Sequence, residues 1–147
     1  MLIIFGAKYL IYFVAAGAAV ALALTRRKDL VWVTLLGLIL GYVLARVAGL
    51  FYSHPQPFSV SGVEPLVPHA VDNAFPSDHT LLGGVFATAA WLADWRAGAL
   101  LWALTLLVGA SRVAAGLHAW VDIAASVLLA CVAVWLAQTI LKRLKLI

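Results

Sequence analysis

A polytopic, all-α membrane helix bundle is the fold this sequence predicts, and three observations carry the prediction. Of the 147 residues, 65% are hydrophobic and only 11% charged, with a mean hydropathy of +1.06. A soluble domain carries roughly a quarter charged residues, so lipid has to be the solvent for much of this surface. Apolar runs recur at residues 2–24, 30–52, 79–95, 97–117 and 119–141, each near the ~20 residues that cross a bilayer core, the third being the shortest. The basic residues, finally, gather at the flanks of those runs, in Arg26-Arg27-Lys28 and in Lys142, Arg143 and Lys145. Backbone polar groups in hydrocarbon have to pair within their own segment, which makes the runs helices. The expectation is about five transmembrane helices in one integral-membrane domain, residues 1–147. The formal charge of +4 is then a topology signal, and no nucleic-acid partner is expected.

Taken in order, the first run ends in Ala21-Leu22-Ala23, which resembles a signal-peptide cleavage site. Its basic cluster follows the apolar stretch instead of preceding it, so a retained transmembrane helix is expected. The second run carries Gly37 and Gly41, four residues apart, a spacing that permits close helix packing. Residues 53–77 form the one long connection and hold all five prolines: Pro55, Pro57, Pro65, Pro68 and Pro76. Loops of that length are functional or disordered. The apolar Phe58, Val60, Leu66, Val67 and Phe75 favour an ordered cap on the helix ends. Cys131, the only cysteine, lies inside the last run and forms neither an intrachain disulfide nor a metal cluster.

Five crossings alternate between two sides. The Arg26-Arg27-Lys28 turn, the Asp94-Trp95-Arg96 turn and the basic C-terminus share one side, which the positive-inside rule makes cytoplasmic. The proline-rich loop and the turn from Arg112 to His118 then lie together on the outer, periplasmic or extracellular, face. Trp32, Trp91, Trp95 and Trp102 fit an inner aromatic belt, and Tyr52 and Trp120 an outer one.

Two polar blocks interrupt this apolar chain. Pro76-Ser77-Asp78-His79 immediately precedes the third run, where Ser77 or Asp78 suits a helix N-cap whose free N–H groups favour an anion. His79, beside such an anion, can serve as a general acid. The second block is Ser111-Arg112, five residues, His118, three residues, Asp122. The planar guanidinium of Arg112 suits bidentate phosphate binding. Asp122 follows His118 by four residues and shares its helix face, so its carboxylate can accept the imidazole Nδ1–H and leave Nε2 as a nucleophile.

These blocks resemble the type 2 phosphatidic acid phosphatase superfamily, the membrane relatives of acid phosphatases and vanadium haloperoxidases. Its Pro-Ser-x-His motif is present at residues 76–79, and its Ser-Arg-x5-His-x3-Asp motif is complete at Ser111, Arg112, His118 and Asp122. The stretch at residues 66–76 is similar to the bacitracin-resistance-type undecaprenyl-diphosphate phosphatases. The resemblance implies that His118 attacks phosphorus to form a phosphohistidine, that Asp122 orients it, and that His79 protonates the leaving group. It implies that Arg112, Ser77, Asp78, Ser111 and nearby backbone amides hold the phosphate, with no cofactor and no metal. The implied reaction is hydrolysis of undecaprenyl diphosphate to the monophosphate in carrier-lipid recycling. A phosphatidylglycerophosphate or phosphatidate phosphatase, or a non-catalytic lipid-binding member, are the alternatives. Partners are a polyprenyl or glycerolipid phosphate and the bilayer; an oligomer is compatible with the sequence.

The chain departs from the family in its first motif, Lys, six residues, Arg-Pro. Gly49 and Gln56 stand where the lysine and arginine are expected. Glutamine keeps a donor, so Gln56 is a candidate phosphate-binding residue, but it loses the charge and the fork. Arg46, one helical turn before Gly49, is a candidate replacement cation, and His54 and His69 are candidates for contacting a second phosphate. The family core commonly has six membrane-associated helices, so an N-terminal element is expected to be lacking here.

Overall fold

Every apolar run folds as helix. The computed structural model describes all 147 residues, in seven helices: α1 (Leu2–Lys8), α2 (Leu10–Thr25), α3 (Lys28–Phe51), α4 (Pro57–Ser61), α5 (Asp78–Ala93), α6 (Trp95–Ala114) and α7 (Trp120–Arg143). Extended structure is limited to a single bridge between Pro55 and Asn73. Large apolar side chains such as Ile39, Leu50, Leu100, Leu128 and Trp135 are exposed around the bundle, the pattern of a surface solvated by lipid. Hydroxyls inside the helices are satisfied by bonding back one turn, as Thr34 does to the Leu30 carbonyl and Thr105 to that of Leu101.

By length and apolarity alone, fewer than the expected five spans qualify. Helices α3, α6 and α7 are each long and apolar enough to cross a membrane, and α1 with α2 qualify together as a pair bent by 52°. The 16 residues of α5 give a length of about 24 Å at the α-helical rise, short of the ~30 Å hydrocarbon core. Its setting explains its composition. Helix α5 sits at the centre and packs against α2, α3, α6 and α7, so it meets protein on nearly every side. Between helices in lipid the attraction is close van der Waals packing, which small residues permit. Gly83, Gly84, Ala87, Ala89 and Ala90 are accordingly buried along it. A Cβ on Gly84 would stand only 2.7 Å from that of Ala130. Gly37 and Gly41 of α3 are buried against Val85 and the α7 residues Val134 and Ala133.

Trp102 does not belong to an aromatic belt. It packs beside Gly84 and the cluster of Ile11, Val14 and Leu101, because seven residues of helix, roughly 10 Å, separate it from the end of α6 at Trp95.

The proline-rich segment is an ordered cap, although only part of its apolar set is used. Val67 is buried with Ala7, Ala115 and Leu117, and Phe58 packs on them. Val60 and Leu66 are exposed. Backbone bonds from Phe58 N–H to the Gly116 carbonyl (3.1 Å) and from Leu66 N–H to that of Ala115 (3.2 Å) fix the cap onto the α6–α7 turn.

Candidate active site

Both polar blocks arrive at the same end of the bundle because α5 begins there while α6 ends and α7 begins. They surround a cavity of about 300 Å³ whose polar lining is Arg46, His69, Asp72, Asn73, Asp78, His79, Arg112 and His118.

His118 is placed by a tight turn. Gly116 takes a left-handed conformation (φ +79°), which a glycine adopts without steric cost, and the Leu117 N–H returns to the Arg112 carbonyl at 3.1 Å. The imidazole is buried, and its Nδ1 lies 2.9 Å from the Ala74 carbonyl. A carbonyl oxygen only accepts, so Nδ1 carries the proton and Nε2 carries the lone pair. Nε2 has no hydrogen-bond partner. Burial, with the Arg112 charge second, pushes the His118 pKa down from 6.5 to about 3. The side chain, which lines the cavity, is therefore a neutral imidazole with Nε2 unpartnered.

Asp122 is not the Nδ1 acceptor that the four-residue spacing predicts. Its Oδ2 accepts the Ala119 N–H at 2.7 Å, capping α7, and stands 3.6 Å from His118 Nδ1, beyond a good hydrogen bond. Its Oδ1 has no hydrogen-bond partner and lies 3.7 Å from His54 Nδ1. The carboxylate thus sits between two imidazoles as a fully buried charge neighbour. The nearby loop carbonyl, which any residue could have supplied, takes the orienting bond.

Arg112 is buried in the last turn of α6, where its Nη1 donates to the Ala7 carbonyl at 3.2 Å. Nε is left without a partner. Helix α1 therefore steadies the guanidinium, and the bend before α2 is what brings Ala7 to it. Ser111 turns the other way, into the α1–α6 crossing, where a Cβ on Gly6 would overlap its Oγ. It does not line the cavity.

The Pro76–His79 block divides its work. Ser77 is the N-cap residue of α5 and is fully buried, its hydroxyl accepting from Thr80 at 3.2 Å and its carbonyl accepting from Ser126 of α7 at 2.9 Å. The first free N–H groups of α5 follow it. His79 is half-buried and lines the cavity. The Asp78 carboxylate does not offer itself to an anion; it is exposed and bound to Arg46 Nη2 at 2.6 Å.

The unusual first-motif positions separate as well. Gln56 is fully buried and away from the cavity. Its Nε2 donates to the Ala70 carbonyl (3.1 Å) and Asp72 Oδ1 (2.6 Å), and its Oε1 accepts the Asp72 N–H (3.0 Å). With both ends of the amide engaged, it fastens the loop and does not line the cavity. Arg46 does reach the cavity, stacked over Tyr42 with its guanidinium carbon 4.9 Å from the ring centroid. His69 lines the cavity, whereas His54 stacks on Tyr52 behind Asp122. Sequence reasoning missed Asp72 and the Ala7 and Ala74 carbonyls. Only Asp72 had a visible signal, a carboxylate in the functional loop.

The arrangement offers a buried cation, a second exposed cation, a free imidazole nitrogen and a second histidine around one concave site. That set suits a tetrahedral anion. Comparison with known proteins agrees in kind. The chain is 34% identical over 128 residues to the bacitracin transport permease protein BcrC of Bacillus licheniformis, covering 85% of this chain and 63% of that protein. It is 35% identical over 106 residues to the undecaprenyl-diphosphatase BcrC of Bacillus subtilis (strain 168), covering 72% and 54% respectively. The chain thus spans about three fifths or less of the length of these relatives. The crystal structure of Aquifex aeolicus LpxE has a similar fold, with a TM-score of 0.67 at 22% identity over 94% of this chain and 93% of that one. Residues 30–145 match the PAP2 superfamily, and this multi-pass membrane chain belongs to it.

Proposed function

We propose that the chain is a lipid phosphatase that hydrolyses undecaprenyl diphosphate to undecaprenyl phosphate, with residues 1–147 acting as one integral-membrane domain. The observation that carries the reading is the unpartnered Nε2 of a neutral, buried His118 at the same cavity as Arg112 and His79. The undecaprenyl-diphosphatase relative supports the substrate class.

In this mechanism His118 Nε2 attacks the terminal phosphorus. The N–P bond forms as the bridging P–O bond breaks, and the departing lipid phosphate oxygen takes a proton from His79. The anionic substrate favours the imidazolium form of His79 needed for that transfer. Arg112 and the first-turn N–H groups of α5 neutralise charge on the non-bridging oxygens, and Arg46 contacts the phosphate nearer the lipid. Asp122 stabilises the positive charge that develops on His118, while the Ala74 carbonyl holds its tautomer. Water then attacks the phosphohistidine, His79 accepts its proton, and inorganic phosphate leaves with His118 restored.

The cavity faces the periplasm or extracellular side and the C-terminus is cytoplasmic. Support comes from the basic Arg26–Lys28 turn and the Lys142–Lys145 segment at the far ends of the helices that carry the site.

The test is phosphate release in detergent from a panel of polyprenyl and glycerolipid mono- and diphosphates, wild type against His118→Ala. Histidine-dependent release from the polyprenyl diphosphate is expected. Release from glycerolipid monophosphates alone would move the substrate to that class, and no histidine-dependent release from any lipid would refute the enzyme reading.

A further inference from the structure

At the end of the bundle remote from His118, a second cleft of about 610 Å³ opens between α2 and α3. Its walls are apolar: Ala15, Ala19 and Ala23 on α2, Leu35 and Leu38 on α3, with Phe86 of α5 behind them. Thr34 is the hydroxyl in the wall, and it is already bonded to the Leu30 carbonyl at 2.7 Å. The interior therefore has nothing to offer a polar group.

The mouth is different. Arg26 and Lys28 both line it, and neither forms a side-chain ion pair. Arg27 between them is committed to Asp29, through bonds of 2.9 and 2.8 Å. Two uncommitted cations thus stand over a dry cleft. From Lys28 to Leu38 the cleft follows ten residues of helix, about 15 Å, or half of a ~30 Å hydrocarbon core and so the depth of one leaflet.

We propose that this cleft is a binding site for an anionic phospholipid of the leaflet opposite the catalytic cavity. One acyl chain fills the α2–α3 cleft, and the headgroup phosphate lies between Arg26 and Lys28. Charge complementarity selects this occupant over a second copy of the chain. The neighbouring C-terminal segment, Lys142, Arg143 and Lys145, is basic as well, so a second copy would bring like charges to this end. The site is independent of the substrate reading, and its test requires no turnover.

Native mass spectrometry of the purified protein, incubated with equal amounts of dioleoyl phosphatidylglycerol and dioleoyl phosphatidylcholine, reads the preference directly. Two basic residues near an anionic headgroup give about a 30-fold preference for phosphatidylglycerol. Arg26→Gln and Lys28→Gln should each lower it about fivefold, and the double variant should bring it near parity. The charge-neutral pair Arg27→Gln/Asp29→Asn should leave it unchanged, and Ala19→Phe should displace the lipid by filling the cleft. Equal retention of the two lipids by wild type, or an undiminished preference in the double variant, would overturn the proposal. So would a dimer in size-exclusion light scattering that Ala19→Phe dissolves, since the occupant would then be a second copy.

Discussion

The contact between Arg46 and Asp78 allows a quantitative prediction. Both side chains are substantially exposed, at 53% and 63%. An ion pair in that setting contributes 0–1 kcal/mol at most, so a diphosphate can draw Arg46 away from Asp78 at a cost of roughly 1 kcal/mol or less. Asp78→Asn removes that competition and a carboxylate that repels the substrate. KM should fall by up to about fivefold, the equivalent of ~1 kcal/mol, with little change in kcat or melting temperature. Arg46→Ala acts in the opposite sense. It deletes a charge-assisted hydrogen bond, worth about 1.5–3 kcal/mol, and kcat/KM should fall about 10- to 150-fold. Initial rates of phosphate release across a concentration series of polyprenyl diphosphate separate the two effects. An Arg46→Ala enzyme with unaltered kcat/KM, or an Asp78→Asn enzyme with raised KM, would refute the idea that Arg46 stands in for the missing first-motif cations.

Three further outcomes follow from the same geometry. Gln56→Arg should give no gain in turnover and should loosen the loop, because arginine cannot accept the Asp72 N–H that Gln56 Oε1 accepts; limited proteolysis within residues 53–77 checks this. Gly6→Leu should overpack the α1–α6 crossing and destabilise by about 1–3 kcal/mol, while displacing Ala7 from Arg112 and so lowering kcat more than a wild-type enzyme warmed to the same residual stability. His118 gains a proton at about pH 3 when folded but near 6.5 when unfolded, so the unfolded chain binds more protons between those values. Stability should fall as pH drops from about 6.5 toward 3, and His118→Gln should flatten that slope in detergent melts.

Much of this molecule was legible in the sequence, because lipid imposes simple rules. Apolar run length, basic flanks and the two polar blocks locate the helices and gather His79, Arg112 and His118 at one end. The short third run was visible, but its role was not. Counting residues makes α5 a span like the others, but cannot show that its glycines and alanines belong to a helix enclosed by four neighbours. Side-chain partners were harder still. A spacing of four residues places Asp122 on the His118 face, yet it cannot say that a backbone carbonyl 44 residues away would win Nδ1. Every residue carries a carbonyl, so Ala74 and Ala7 leave no trace in the composition. The bend that delivers Ala7 to Arg112 is hidden inside one continuous apolar run. Gln56 is hard to place for a related reason: its motif position suggests a ligand, and only the folded loop shows both ends of its amide engaged.

The central claim, that His118 Nε2 is the nucleophile, is tested most directly by trapping the covalent enzyme. Polyprenyl diphosphate labelled in its terminal phosphate would be mixed with the enzyme and quenched in alkaline detergent within one turnover, and the label mapped by peptide mass spectrometry. The account predicts an acid-labile phosphate on His118, present in wild type and absent from His118→Ala. Turnover by wild type with no protein-bound phosphate under those conditions, or with the label on another residue, would contradict it.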